Sequence, residues 1–497
     1  MHHSLYGITH LKQTAMLFFA LYMLLASSIA HASDAQLKGS LCYIQADNQV
    51  VFIQEVITGL YSLPGGTIEA GESPKVAAER ETWEESGLVV NAKALLTKTD
   101  TAYIYDCEVE SPIFVYHHQN KRGFHFVPAW FAPSYGLETQ SVFLSLPENI
   151  SAKEYRFPEQ WKQQVFGHKV HNQDVQYIYN TVSSAPYVQS IEISFIETIQ
   201  NSILNLDNAF SRGFVWAMLL LDSFSSIFMV LLVLPLINYL FGAKFSIRLC
   251  LIIIVTAVIV YFIQLRLQLP RPEAYFPDIH MSNKTGFGMP SLSATLSMVW
   301  LCYVFNALVR RYKEFSPYKV LLLLVLFIVC KDLATVWLGG HFFSDILCGY
   351  ALGILIAWHY IRIENNKNIH VLNVMVNPIF WWLLTLCLHG LVWFSHALII
   401  GQLAAMALAI SLLLSVSFKQ SIFDGFFSPK VQITLVSIVA IGGIIFAPQI
   451  IDSVSNSSMM TYLTKCAVVF FLTLNAMLLG RIKPHANASN INLGIYL

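Results

Sequence analysis

Residues 66–88 place Glu81, Glu84 and Glu85 within five positions, just after a glycine turn. Spacings of three and four residues bring such side chains onto adjacent parts of one helical face. Crowded carboxylates of this kind repel one another by roughly a few tenths of a kcal/mol per pair on an isolated helix. A hard divalent cation offsets the repulsion, because Mg2+ takes oxygen ligands and is usually held by carboxylates together with substrate phosphates. Glu81, Glu84 and Glu85 are therefore candidate ligands for Mg2+ (or Mn2+), and Glu81 and Glu85 are candidates to activate water. A second set of polar groups sits among apolar runs: Arg271-Pro272, Pro290-Ser291-Leu292-Ser293, and His341 with Asp345. His341 and Asp345 are four apart at the start of a helix, where a carboxylate can orient an imidazole for nucleophilic attack or proton transfer.

The first set resembles the Nudix box at every fixed position: Gly66, Glu72, Arg80-Glu81, Glu84-Glu85 and Gly87, with a hydrophobic residue following. Agreement at that many spacings is a strong signal. The one departure is Thr82 in a hydrophobic slot. The resemblance covers about residues 38–165 and implies an α/β/α sandwich that hydrolyses a diphosphate linked to another group. It also implies metal binding by Glu81, Glu84 and Glu85, and a substrate-side Arg80 that orients the glutamates. Gly66, Glu72 and Gly87 would shape the loop–helix–loop.

The second set resembles the type 2 phosphatidic acid phosphatase family over about residues 214–361. That resemblance implies His341 as nucleophile, aided by Asp345, and Arg271 and Ser291 as phosphate-binding residues. Three positions depart from the family pattern. Gln264 stands for a lysine, Ser293 for the histidine that protonates the leaving group, and Thr335 for an arginine six residues before His341. Losing a positioned general acid typically costs ~10²–10⁴-fold in rate, and losing two cations removes charge-assisted hydrogen bonds to phosphate. Lys331, His280 and Lys284 are the substitutes in reach, none at a family position.

The elements that must carry these residues divide by solvent. The chain has 497 residues, 55% hydrophobic and 12% charged, where a soluble domain carries about 25% charged residues. Residues 33–212 hold most of the charge, and apolar runs fill the rest. The formal net charge is zero, which points away from a nucleic-acid partner. Residues 1–32 read as a signal peptide, with Lys12, an apolar core and small residues Ala30 and Ala32. We expect a periplasmic Nudix-like domain over 33–180, a helical linker over 181–213, a lipid-phosphatase-like domain over 214–361, and additional transmembrane helices over 362–497.

Nine spans of the length that a ~30 Å hydrocarbon core requires are expected, beginning near residues 214, 247, 290, 318, 341, 372, 393, 431 and 462. Basic residues mark alternate loops: Lys244 and Arg248; Arg310, Arg311, Lys313 and Lys319; Arg362 and Lys367; Lys419 and Lys430; Arg481 and Lys483. Those loops are expected to face the cytoplasm of a bacterial inner membrane. The three polar patches and the soluble domain then share the outer side. In the soluble part, Leu41–Ile44 and Val50–Gln54 read as a hairpin about Ala46-Asp47-Asn48, Phe124–Phe131 as a strand, and 74–86 as a helix. Cys42 and Cys107 are the only cysteines of this part, and an oxidising compartment permits a disulfide between them. Asp222 is an intramembrane carboxylate and so a functional candidate.

Three functions remain open on this reading. One is a membrane-bound phosphohydrolase that cleaves a diphosphate in one domain and acts on lipid (polyprenyl) phosphates or diphosphates in the other. In the second, the Nudix domain is the only catalyst and the membrane part is a degenerate anchor or lipid-binding module. The third is a transporter or scaffold.

Overall fold

The computed structural model describes residues 39–478, apart from 121, 159–160, 162–167, 169, 180–181, 183–184, 283, 312–316, 367–373, 416–428 and 454–456. The expected export segment lies outside the described residues, as do Lys313, Lys367, Lys419, Arg481 and Lys483 of the charged loops.

The soluble part is a mixed β structure around one helix. Strand β1 (Gly39–Tyr43) is central to a four-stranded sheet, antiparallel to β5 (Gly65–Thr67) and parallel to β7 (Ala102–Val109), which pairs in turn with β6 (Val90–Lys98). The hairpin expected around residue 47 forms between β2 (Gln45–Ala46) and β3 (Gln49–Glu55). Asp47 and Asn48 both take positive φ, 46° and 58°, as a tight two-residue hairpin turn requires and as these two residue types tolerate. β3 pairs with β4 (Tyr61–Ser62) and with β10 (Thr139–Ser145), which pairs with β9 (His125–Val127), while β8 (Ile113–Tyr116) pairs with β12 (Val175–Ile178) and β11 (Asn172–Gln173) joins β2. The strand expected over 124–131 is confined to those three residues.

Helix α1 (Pro74–Ser86) begins where the sequence places it, with Pro74 in its first turn and the Ser73 side chain accepting from the Val76 N–H. Gly87 ends it at φ 72°. The face that α1 buries consists of Ala77, Ala78, Glu81, Thr82, Glu85 and Ser86. Its two alanines allow it to lie close on the sheet, which carries two of its glutamates inward. On the opposite side of β3 and β10, Phe52, Phe143 and Phe124 form an aromatic layer, with Phe124 and Phe143 stacked at 4.4 Å.

Beyond it the chain is helical: α2 (Tyr187–Leu204), α3 (Asn208–Ser223), α4 (Ile227–Phe241), α5 (Ala243–Leu267), α6 (Leu292–Arg311), α7 (Pro317–Trp337), α8 (Phe343–Glu364), α9 (Pro378–Ser395), α10 (Leu398–Ser415), α11 (Pro429–Ser453) and α12 (Ser458–Leu478). Among the described residues, eight helices are long and apolar enough to cross a membrane. The difference from the expected nine lies at the first span. The run 214–241 breaks at Phe224, Ser225 and Ser226 into α3 and α4, of 16 and 15 residues, each short of the ~20 a crossing needs. A turn interrupts the helix there, with Ser225 N–H bonded to the Asp222 carbonyl at 2.8 Å.

α8 packs closely on α6 because Gly349 and Gly353 face it. A Cβ on Gly353 would stand 2.5 Å from the Thr295 carbonyl oxygen, so only glycine admits this helix spacing. At the other end of the same helices, Arg248 pairs with Glu364, Tyr303 donates to Glu364, and Arg310 donates to Asn365. Basic flanks therefore gather at one end of the bundle.

The soluble domain rests on the opposite end. The Tyr116 hydroxyl donates to the Ala274 carbonyl, and His118 lies 3.1 Å from Asp278. The Tyr135 ring meets Phe287 and Trp130 meets Tyr275. Lys465 Nζ of α12 donates to the Ile57 carbonyl at 2.7 Å. Within the soluble core, Cys42 and Cys107 form a disulfide with Cα atoms 5.4 Å apart. It closes a loop of 65 residues, so replacing both cysteines by alanine should lower the unfolding free energy of this domain by about 2–4 kcal/mol, as read by denaturant titration with and without reductant.

Candidate active sites

Arg80 organises the acidic site. Its Nε and Nη2 donate to the two oxygens of Glu72, both at 3.0 Å, Nη2 also reaches the Thr67 carbonyl at 3.0 Å, and Nη1 donates to Glu84 at 3.1 Å. A further contact of 3.0 Å joins Nη2 to Glu81. The bidentate geometry with Glu72 ties the glycine turn to α1 and holds the Glu72 carboxyl below the ordinary carboxylate range. Among its described contacts, Arg80 is committed to the glutamates.

Glu81 and Glu85 are buried. Burial, opposed by Arg80 and reinforced by Glu84 and Glu138, raises the Glu81 carboxyl to about 7. Burial pushes Glu85 well above the ordinary range, although the Gly65 N–H donates to it at 2.8 Å; Glu55, Glu138 and Glu81 add to the shift. Glu55 and Glu138 lie outside the sequence motif. They stand at the facing ends of β3 and β10 and are brought beside α1 by strand pairing, a long-range relation for which the local sequence offers no signal.

Six carboxylates (Glu55, Glu72, Glu81, Glu84, Glu85 and Glu138) thus face two guanidinium groups, Arg80 and Arg156, the latter paired with Glu55 at 2.5 Å. Among the described residues, no group of three or more His, Cys, Asp or Glu is gathered in metal-ligating geometry, because Arg80 lies across Glu81 and Glu84. The surplus of buried hard oxygen donors nevertheless fits a divalent cation.

The second site forms where the 268–291 loop meets the turn between α7 and α8. Arg271 is buried, and its Nε donates to the carbonyls of Thr285 and Gly286, both at 3.1 Å. Its Nη1 donates to the Gly340 carbonyl at 2.6 Å and to His341 Nε2 at 2.8 Å. The hydrogen-bond pattern assigns the His341 proton to Nδ1, which faces Asp345 Oδ2 at 3.4 Å, and leaves Nε2 unprotonated. Asp345 is held by the Phe342 N–H at 3.0 Å. Ser291 is buried at the start of α6, where its N–H donates to the Asp345 carbonyl at 3.1 Å. Arg271, Ser291, His341 and Asp345 are thus brought together.

The three departures have structural roles. Gln264 Nε2 donates to the Pro290 carbonyl at 2.9 Å and ties α5 to the turn before α6. Ser293 lies 3.3 Å from Ser291, oxygen to oxygen. Thr335 meets Lys284, whose Nζ donates to it at 3.1 Å and to Asp222 at 2.7 Å. Asp222 therefore has its partner in Lys284, across 62 residues of sequence. Of the other substitutes, Lys331 pairs with Asp332 and His280 with Glu273.

Comparison with known proteins divides the chain at the same place. The profile of the NUDIX domain matches residues 38–146, and that of the PAP2 superfamily matches residues 245–369. The chain joins a NUDIX domain to a PAP2-superfamily domain. It is 30% identical over 106 residues to an RNA pyrophosphohydrolase of Bartonella bacilliformis, covering 21% of this chain and 58% of that protein. It is 39% identical over 56 residues to an ADP-ribose pyrophosphatase of Methanocaldococcus jannaschii, covering 11% and 33%. The chain thus spans about half the length, or less, of these relatives. A solved ADP-ribose pyrophosphatase of Streptococcus suis is similar at 18% identity and TM-score 0.20, covering 29% of this chain and all of that one.

The NUDIX site also sets a packing test. A Cβ on Gly66 would stand 2.5 Å from the Glu81 carboxyl carbon. Gly66→Ala should displace that carboxyl and lower diphosphate hydrolysis by about 10²-fold or more, with the melting midpoint of the domain nearly unchanged.

Proposed function

We propose that this protein is a membrane-bound phosphohydrolase whose exported NUDIX domain cleaves a diphosphate and whose PAP2-like domain hydrolyses a lipid (polyprenyl) phosphate at the outer face. The observation that carries this reading is that residues bordering each of the two sites make the contact between the domains. Glu55, beside the buried glutamates, accepts from Ser458 of α12 at 3.2 Å. Gly136, two residues from Glu138, lies against Gly286, whose carbonyl holds Arg271. A head group at the membrane surface would be within reach of both. Export is supported by the Cys42–Cys107 disulfide and by basic flanks at the far end of the bundle, and a bacterial inner membrane fits both.

In the NUDIX domain, Glu81, Glu84 and Glu85 would hold Mg2+ or Mn2+, which when bound neutralises phosphate charge and acidifies an attacking water. Arg80 positions these carboxylates, and a deprotonated Glu85 or Glu81 takes the proton of that water. In the PAP2-like domain, a phosphate enters between Arg271 and His341. His341 Nε2 attacks phosphorus, Asp345 steadies the Nδ1 proton as charge develops, and Arg271 neutralises the phosphate oxygens. With serine at 293, the departing oxygen takes its proton from water, and a second water releases phosphate from the imidazole. Ser293 also favours a second reading, in which the NUDIX domain is the only catalyst and the PAP2-like domain binds lipid without turning it over.

Purified full-length protein in detergent with Mg2+, assayed on lipid diphosphates, lipid monophosphates and nucleoside diphosphate compounds, separates the two. Glu85→Gln should abolish diphosphate cleavage, by about 10²-fold or more, and His341→Ala should independently abolish phosphate release from the monophosphate. Loss of all turnover with Glu85→Gln alone would establish the second reading.

The pH dependence of metal binding has a defined sign. Glu81 titrates near 7 in the fold because of burial, above its unfolded range. Without metal, the fold therefore loses stability as pH rises from the ordinary carboxylate range through about 7. Metal must displace that proton, so Mg2+ affinity should rise about tenfold between pH 6 and pH 8, as measured by calorimetric titration.

A further inference from the structure

The PAP2-like site lacks an arginine at position 335, yet a cation stands there. Thr335 Oγ1 accepts from Lys284 Nζ at 3.1 Å, and the same ammonium lies 2.7 Å from Asp222. Thr335 itself donates to Asp222, so the carboxylate at the end of α3 braces both partners. Lys284 is held at its backbone as well, since its N–H donates to Ser282 Oγ at 3.3 Å. Ser282 is buried against Gly340, where a Cβ would stand 2.8 Å from its oxygen. The two residues after Lys284, Thr285 and Gly286, present the carbonyls that hold Arg271. One loop thus places both an arginine and a lysine on the walls around His341. Thr335, which Lys284 holds, packs on Gly340, the residue before His341, where a Cβ would stand 3.2 Å from the threonine methyl, whereas Lys331 is committed to Asp332 at 2.5 Å. An ammonium has three donors, and Lys284 spends two of them on Asp222 and Thr335.

We propose that Lys284 is the second phosphate-binding cation of the PAP2-like site, delivered from the 268–291 loop to the place of the missing arginine, with Asp222 and Thr335 as its positioning residues. This rests on the reading that phosphate binds between Arg271 and His341. Lys284 offers phosphate a point charge and a single remaining donor, where an arginine at 335 would offer a planar fork. The shorter Thr335 is what leaves space for it.

The test uses the full-length protein in lipid nanodiscs and two readouts. One is phosphate release from a short-chain glycerolipid monophosphate. The other is binding of orthophosphate measured by calorimetry in EDTA, where the NUDIX carboxylates hold no metal to attract the anion. Lys284→Met is made together with Asp222→Asn, so that no buried carboxylate is left unpaired. This double variant should lose about 10²-fold in turnover and at least about tenfold in orthophosphate affinity. Adding Thr335→Arg to it should recover most of both, a rescue that a merely structural ion pair would not give.

Orthophosphate affinity within twofold of wild type in the double variant would overturn the assignment. So would loss without rescue in a protein of unchanged elution and melting behaviour. If wild type releases no phosphate from the lipid yet binds orthophosphate with the same Lys284 dependence and rescue, the phosphatase reading falls and the assignment stands. If turnover is normal and indifferent to Lys284, the reading stands and the assignment falls.

Discussion

A buried guanidinium is costly unless its donors find acceptors, and Arg271 places its Nε and Nη1 on three backbone carbonyls and one imidazole nitrogen. Those bonds pin the 268–291 loop to the turn before α8, two segments that the chain separates by about seventy residues. Much else follows from the pin. The loop presents Phe287, Tyr275 and Ala274 to the soluble domain, it holds Lys284 against Thr335, and it sets the protonation pattern of His341. Without that cation the docking surface and the PAP2-like site would lose the same support.

The NUDIX domain solves the opposite problem. Its excess charge is negative, with six carboxylates around two arginines, and three of them, Glu55, Glu81 and Glu85, are buried. Arg80 spreads over three glutamates and a carbonyl, which keeps the turn and helix together while leaving Glu81 and Glu85 short of partners. The crowded carboxyls repel one another, and a divalent cation held there would offset that repulsion and displace their protons.

The contact between the domains couples these two arrangements in space. The segment 130–138 lies between them: Ser134 N–H donates to the Glu84 carbonyl, Tyr135 packs on Phe287, and Gly136 touches Gly286. Residues bordering both sites therefore take part in one inter-domain contact.

By itself the sequence determined the elements whose causes are local. The helix at 74–86, the hairpin at Asp47-Asn48, and the glutamates on one face of α1 all follow from local spacings. So did the membrane class, because hydropathy over twenty residues decides it. The first span is the exception: its apolar run is continuous in composition, and only the backbone turn at Ser225 and Ser226 divides it. Pairings across the chain were beyond the sequence. Cys42 could be matched to Cys107 only as one option, and nothing near Asp222 pointed to Lys284, nor anything near Glu81 to Glu55 and Glu138. Strand register and loop path decide such partners, and these depend on packing among residues tens to hundreds of positions apart, where periodicity carries no information.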